Sequence, residues 1–353
     1  MRGMFANCLK LGSESDGLLD LTSFNTRKVT DMSAMFRGLG SFLDEEHNHI
    51  PDYVTSFEMK GIKRIIFGNN FITSNVTKMD YMFYNNVNLR GLNVESFDTS
   101  KVVNMEWMFG QCRNLGNKKD EDGTTLSWMK DWVLDLSRWD TSKVKSFKRM
   151  FILNRTLPSI KFGKKFNINS AESIEGMFGS CPALKDLDLS SFKNNNAVRI
   201  GGNPNRKNNV PLKPNEYKWW ANGLFFATVN LKNIDMRNFD FCNLDLISPQ
   251  ILSNNPPEYF MDKEYYGKPE HFAKFELLYK TKGLVFMRSG VNNSKVTVIV
   301  GDDYFEDDDK KNCIRNIVEN NEFPYAEGAV VDDTQVSRIK FVTADGRVVI
   351  DEP

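Results

Sequence analysis

At 353 residues the chain is long enough for one extended array or for two ordinary domains, and 46 basic residues balance 46 acidic ones. That balance argues against nucleic acid or an anionic membrane as partner. No stretch is long and apolar enough to span a bilayer, and the opening MRGMFANCLK has no apolar signal core. The charge is unevenly spread: from Asn254 onward 13 Lys/Arg face 19 Asp/Glu, a net of −6, so the first 253 residues carry 33 against 27, a net of +6. Five cysteines, a low and odd count, argue against a disulfide framework.

In chain order a Met-Phe pair recurs at Met4-Phe5, Met35-Phe36, Met82-Phe83, Met108-Phe109, Met150-Phe151 and Met177-Phe178, with Leu224-Phe225 as a degenerate seventh copy. Successive spacings of 31, 47, 26, 42, 27 and 47 set a copy of 26 or 27 residues, the longer ones carrying insertions. An aromatic precedes the Met by eleven residues at Phe24, Phe71, Phe97, Trp139 and Phe166; Phe192 and Phe239 belong to the same series. Ahead of each aromatic stands an apolar-x-apolar triplet, from Leu19-Asp20-Leu21 through Leu134-Asp135-Leu136 to Ile234-Asp235-Met236.

Each triplet alternates as a strand does, two side chains inward and one outward. A Thr/Ser-rich turn such as Asp98-Thr99-Ser100 suits a helix N-cap. Val102, Met105, Met108 and Phe109 then fall at i, i+3, i+6 and i+7, one face of a short helix. One strand, one turn and one short helix per ~20–29 residues is the leucine-rich-repeat plan. The predicted fold is therefore an α/β solenoid of about seven stacked copies over residues 1–253.

Insertions fall at Leu9–Leu18, Arg37–Arg64 and Gly110–Trp132, between helix and strand, and at Lys193–Asn222, between aromatic and helix. After Phe241 the repeat fades, and Ser253-Asn254-Asn255-Pro256-Pro257 marks a boundary. Residues 254–353 read as a small α+β domain. Its predicted elements are a helix at Glu270–Thr281, a hairpin of Leu284–Met287 with Lys295–Val300, a helix at Asp307–Asn320, and a second hairpin of Arg338–Val342 with Arg347–Ile350.

The strings LDLTSFNTRKVTDMSAMF, LNVESFDTSKVVNMEWMF and LDLSRWDTSKVKSFKRMF resemble the BspA-like leucine-rich repeats of bacterial surface proteins, also found in mycoplasma lipoproteins. The resemblance covers roughly residues 1–241. It implies a parallel-strand solenoid and adhesion to host or neighbouring-cell molecules at the cell surface or after secretion, and it brings no catalytic residues. Two departures stand out: this chain shows no signal peptide, lipobox or wall-sorting tail, and Met4-Phe5 has no strand of its own.

Cys8, Cys112 and Cys181 lie three residues after the pair's Phe, where other copies have Leu39, Asn86, Asn154 and Thr228. Cys and Asn exchanging at one repeat position fit a buried ladder that satisfies turn backbone groups, not redox chemistry. Nine methionines at repeat positions read as core. Glu45-Glu46-His47-Asn48-His49 lacks the further ligands of a zinc site, and Asp302–Asp309 lacks the order of a calcium loop and instead complements a helix N-terminus. No metal, cofactor or catalytic motif is expected, so the chain reads as a non-enzyme.

The residue before each pair should point outward, which lines up Tyr81, Trp107 and Arg149 from successive copies. Two aromatics beside a cation would make a flat stacking surface for a sugar or an apolar peptide, with Trp128 and Trp132 of the neighbouring insertion either helping or covering it. Tyr217, Trp219 and Trp220 form a second aromatic group. The expected function is recognition or adhesion toward a protein or carbohydrate. The alternative is a structural component of an assembly such as a phage particle.

Overall fold

A computed structural model describes residues 1–8, 11, 17–39, 61–120, 122–200, 223–245, 285–286, 289–290, 292, 295–319 and 338–351. The chain divides into two compact units, residues 1–170 with 181–184, and residues 171–180 with 185–353. This division falls elsewhere than the boundary expected near residue 253.

In the first unit β1 (Leu18–Leu21), β2 (Arg64–Phe67) and β3 (Gly91–Leu92) pair in parallel, Leu19 opposite Ile65 and Ile65 opposite Leu92. Strands β4 (Leu134–Leu136) and β5 (Ile160–Phe162) form another parallel pair, Leu134 opposite Ile160. Parallel neighbours need a crossover of a dozen or more residues, and each sequence copy supplies one. The triplets alternate as expected: Leu19 and Leu21 are buried around an exposed Asp20, and Leu134 and Leu136 around a half-buried Asp135.

The Met-Phe segments correct one expectation. Val102, Met105, Met108 and Phe109 are all fully buried, but no helix carries them. Trp107 has φ 55°, and its equivalents Ala34, Tyr81 and Arg149 have φ 54°, 57° and 56°. A left-handed residue ends any right-handed helix and costs ~1–2 kcal/mol. The backbone bonds that replace the helix run between copies. Ala34, Phe36 and Gly38 donate their N–H groups to the carbonyls of Asp80, Met82 and Tyr84 at 2.8–2.9 Å. Tyr81, Phe83 and Asn85 do the same to Glu106, Met108 and Gly110, and Trp107, Phe109 and Gln111 to Lys148, Met150 and Ile152. Apolar spacing of three to four residues suits both a helix and this run of turns, so spacing alone could not separate them.

Side chains continue the stitching. The rings of Phe5, Phe36, Phe83, Phe109 and Phe151 form one stacked column with centroids 5.4–5.6 Å apart and planes within 8°. The threonines expected to cap helices instead tie each copy to the next. Thr26, Thr73, Thr99 and Thr141, all buried, donate their hydroxyls to the carbonyls of Ile72, Asp98, Asp140 and Asn167 at 2.7–3.0 Å.

The second unit holds a five-stranded sheet in which β6 (Asp186–Asp188), β8 (Asn233–Asp235), β10 (Val296–Val300) and β11 (Ile339–Thr343) run parallel. Strand β12 (Val348–Asp351) closes it antiparallel to β11, as the second predicted hairpin required. Strands β7 (Val198–Arg199) and β9 (Leu244–Asp245) pair separately. Helices α1 (Asp303–Glu306) and α2 (Asp308–Glu319) follow β10.

The first predicted hairpin does not form, because β10 lies parallel to β8 with Val298 opposite Ile234. Val285 and Phe286 behave as one more Met-Phe pair. Phe286 stacks on Phe225 at 5.4 Å and 13°, as Phe225 does on Phe178 at 5.6 Å and 12°. A disulfide, which the odd cysteine count did not anticipate, joins Cys242 to Cys313 and ties α2 to the turn after Phe239. The predicted helix at 270–281 lies outside the described residues.

Candidate functional site

Tyr81, Trp107 and Arg149 occupy the same left-handed turn position in three successive copies, so they leave the surface side by side. Tyr81 and Trp107 stack with centroids 6.2 Å apart and planes 14° apart, and the Arg149 guanidinium lies 5.1 Å from the Trp107 ring. All three are half-buried. The expected grouping is therefore present, but its geometry differs from a flat platform. The rings are piled along the array, so Trp107 spends one face on Tyr81 and faces a cation with the other.

Residues outside the expected set also shape the site. Tyr84 sets its ring edge-on to Trp107 at 5.2 Å and 83°, and to Tyr81 at 5.4 Å and 86°. Gln111 donates to its hydroxyl at 3.3 Å, and the Arg37 guanidinium lies 5.6 Å from its ring. Burial pushes the Tyr84 phenol up to about 12, while Arg37, Arg149 and Arg113 pull it down. The Tyr81 phenol is also raised, first by burial and then by Glu106, against the pull of Arg149. Gly110 supplies the floor: a Cβ there would stand 2.9 Å from Trp107 Cε3 and 3.3 Å from the Arg149 carbonyl. Tyr84 follows the Met-Phe pair by one residue, as Arg37 and Gly110 do in their copies, so reading that second row across copies would have found all three.

Trp128 and Trp132 do not join this group. The insertion that carries them packs on β3, where a Cβ on Gly91 would meet Met129, Trp128 and Trp132 at 2.8–3.1 Å. Arg64 lies 4.9 Å from the Trp128 ring, and the Trp132 indole donates to the Leu92 carbonyl at 3.1 Å. Asp120 of the same insertion pairs with Lys63 at 2.9 Å and with the buried Arg90 at 3.6 Å. Tyr217, Trp219 and Trp220 lie outside the described residues, as do His47 and His49.

The cysteine position behaves as a backbone ladder. Cys112 Sγ donates to the Phe83 carbonyl and Cys181 Sγ to the Phe151 carbonyl, each at 3.0 Å, and burial pushes both thiols up to about 12. In the second unit Thr228 and Ser289 give their hydroxyls to the carbonyls of Phe178 and Phe225 at 2.6 and 2.7 Å. The acidic run after β10 serves local structure. Asp303 pairs with Lys310, Asp302 with Arg347, and Asp307 accepts from the N–H groups of Asp309 and Lys310 at the start of α2. Among the described residues no group of three or more His, Cys, Asp or Glu could hold a metal, and no helix is long and apolar enough to cross a membrane.

Residues 1–62 and 52–192 match the protein family described as Mycoplasma protein of unknown function, DUF285. No curated protein and no solved structure matches the chain.

Proposed function

The chain belongs to the family described as Mycoplasma protein of unknown function, DUF285, and on that premise we propose that it is a non-enzymatic recognition protein. In this reading it binds a protein or a glycan through the surface of a leucine-rich-repeat-like solenoid of the BspA type. The observation that carries the proposal is the Tyr81–Trp107–Arg149 pile. Aromatic and arginine side chains dominate binding hot spots, and here they are half-buried at one repeat position. Trp128 and Trp132, which could have covered them, pack on Gly91 and Leu92.

Display at the cell surface or after secretion belongs to the same proposal. The Cys242–Cys313 disulfide supports it, because such bonds persist in oxidising compartments. The test is a screen of glycans and matrix proteins against the full chain, followed by Trp107→Ala on every hit. Recognition through the pile predicts binding weakened by roughly tenfold or more with an unchanged melt. A structural or assembly role predicts no hit in such a screen, and a variant that binds normally but melts much earlier assigns Trp107 to cover of the core.

A further inference from the structure

We propose that the second unit carries a binding site of its own, a polar cavity that takes a neutral saccharide. The cavity measures about 560 Å³, within the roughly 300–1,000 Å³ of small-ligand clefts. It is lined by the segments that follow three neighbouring parallel strands, residues 193–195 after β6, 237–243 after β8 and 301–304 after β10, joined by Lys310 of α2. Crevices beyond the carboxyl ends of parallel strands are where open α/β sheets hold their ligands.

The walls are fixed before any ligand arrives. The buried Asn194 amide donates to the carbonyls of Asp240 and Asn243 at 2.9 and 3.2 Å and accepts from the Asp240 N–H at 2.8 Å. The Tyr304 hydroxyl accepts from the Phe241 N–H at 2.7 Å and donates to Asp240 Oδ1 at 3.3 Å. The Cys242–Cys313 disulfide ties the same turn to α2. Such pre-organisation lowers the ordering cost of binding.

The chemistry of the lining selects the ligand. Lys193, Arg237 and Lys310 balance Asp240, Asp302 and Asp303, so the cavity carries no net charge. Most of these ions are already paired: Arg237 with Asp235, Lys310 with Asp303, and Asp302 with Arg347. Asp240 also acts on the Lys310 ammonium. An ammonium group therefore finds no unpaired carboxylate, and an anion finds Lys193 alone among three carboxylates. An apolar molecule or a peptide side chain needs an apolar subsite, but the rings in the lining, Phe239 and Tyr304, are only 1% and 2% exposed.

What the cavity offers is hydrogen bonding with little charge. Asn238 and Asn243 give their side-chain N–H groups to the carbonyls of Ser190 and Asn194, which turns each amide oxygen into an acceptor for a ligand. Among the described residues the side chains of Lys193 and Asn195 have no partner, and they supply the donors. Every sugar hydroxyl both donates and accepts, and adjacent hydroxyls on one ring present the pairs that amides match.

The test is saturation-transfer NMR and titration calorimetry on the full chain. The probes are glucose, galactose, mannose and N-acetylglucosamine, beside glucose 6-phosphate, glutamine and a blocked triglycine peptide. The expected result is binding of at least one neutral sugar, more tightly than any of the other three probes. Combining Lys193→Ala with Asn195→Ala removes two exposed side chains that hold nothing else, so the melt should stay and the Kd should rise roughly tenfold. Asn196→Ala, exposed but outside the lining, should change neither. Trp107→Ala, in the first unit, should leave the sugar bound. No binding of any of the four sugars, tighter binding of the phosphate, the amino acid or the peptide, or indifference to the double variant would overturn the proposal. A sugar lost on Trp107→Ala but kept by the double variant would sink the cavity and leave the recognition reading standing. Cavity binding with no partner that depends on Trp107 would remove the pile and keep the cavity.

Discussion

The side-chain amide of Asn154 donates to the main-chain carbonyl of Phe109, one copy back, at 3.0 Å. It also reaches the carbonyl of Phe151 in its own copy at 2.8 Å. Cys112 and Cys181 make the same backward bond from the same repeat position. From Asn86 onward the position carries a small buried donor whose chemical identity is secondary, while the second copy has Leu39 there instead.

Removing that donor should be costly and replacing it in kind should not. Asn154→Ala leaves the carbonyl of Phe109 without this side-chain donor in a fully buried setting. The Cys112 N–H still reaches that carbonyl at 3.4 Å, so the loss is that of the side-chain hydrogen bonds, ~0.5–1.5 kcal/mol each. Asn154→Cys, which restores the residue type of the copies on either side, should recover part of the loss. Urea melts of the two variants check this, and equal stability for Ala and Cys would remove the ladder from the account.

The thiols of Cys112 and Cys181 are pushed up to about 12 by burial, so at neutral pH they are protonated as well as inaccessible. Alkylation without reductant should label neither until the chain is unfolded, because the thiolate is the reactive form. Intact mass should show Cys242 and Cys313 unlabelled until a reductant is added. Labelling of Cys112 in the native protein, or a disulfide joining Cys112 to Cys181, would contradict the structure.

How far the sequence could be read follows from what each pattern constrains. The pairing of Leu134 with Ile160 and the burial of Phe97, Trp139 and Phe166 follow from spacing, because a fixed repeat places equivalent residues in contact. The turn at Trp107 was not legible as a turn. Met105, Met108 and Phe109 have helical spacing, and nothing in a tryptophan announces φ of 55°. The copy at Val285-Phe286 was hidden because valine replaces methionine, yet Ser289, three residues after the phenylalanine, repeats the place of Thr228. Tyr84 and its neighbour Arg37 were missed because only one outward row was read across copies.

Phe97 tests the packing. Its ring stacks on Phe71 at 5.7 Å and on Trp139 at 6.5 Å, and it is 2% exposed. Phe97→Ala should cost ~3–5 kcal/mol. Because each copy also contacts its neighbours, the melt should broaden as well as shift. A thermal melt indistinguishable from the parent would show that the ring carries none of this load.

Asp140 ties the acid stability of the turns to a particular contact. Its carboxyl is held below the ordinary value, first by the Ser142 hydroxyl and also by the Ser142 N–H. A carboxyl with a depressed folded-state value stabilises the protein above its unfolded value, near pH ~3.9. That contribution is lost as pH falls through the folded value. Asp140→Asn should therefore narrow the stability difference between neutral and strongly acid solution. Denaturant melts at pH values on both sides of that window check the sign, and a wider difference in the variant would refute it.

Gly110 tests whether the pile is held by its floor. No positive φ is imposed there, so Gly110→Ala is compatible with the backbone, and any effect comes from the added Cβ. That atom would meet Trp107 Cε3 at 2.9 Å, the Arg149 carbonyl at 3.3 Å and Ile152 Cγ2 at 3.4 Å. The indole is the part able to move, and lifting it would part Trp107 from Tyr81 and from the Arg149 guanidinium together. Overpacking of this size costs ~1–3 kcal/mol, and the tryptophan emission should shift as Trp107 changes its surroundings. The decisive measurement is the double variant. With Trp107→Ala already in place the closest contact is gone, so adding Gly110→Ala should cost clearly less than it does alone. Residues in contact show such coupling, whereas distant ones add. Strictly additive losses would mean that Gly110 is required for the approach of the Arg149 backbone, and that the indole rests elsewhere.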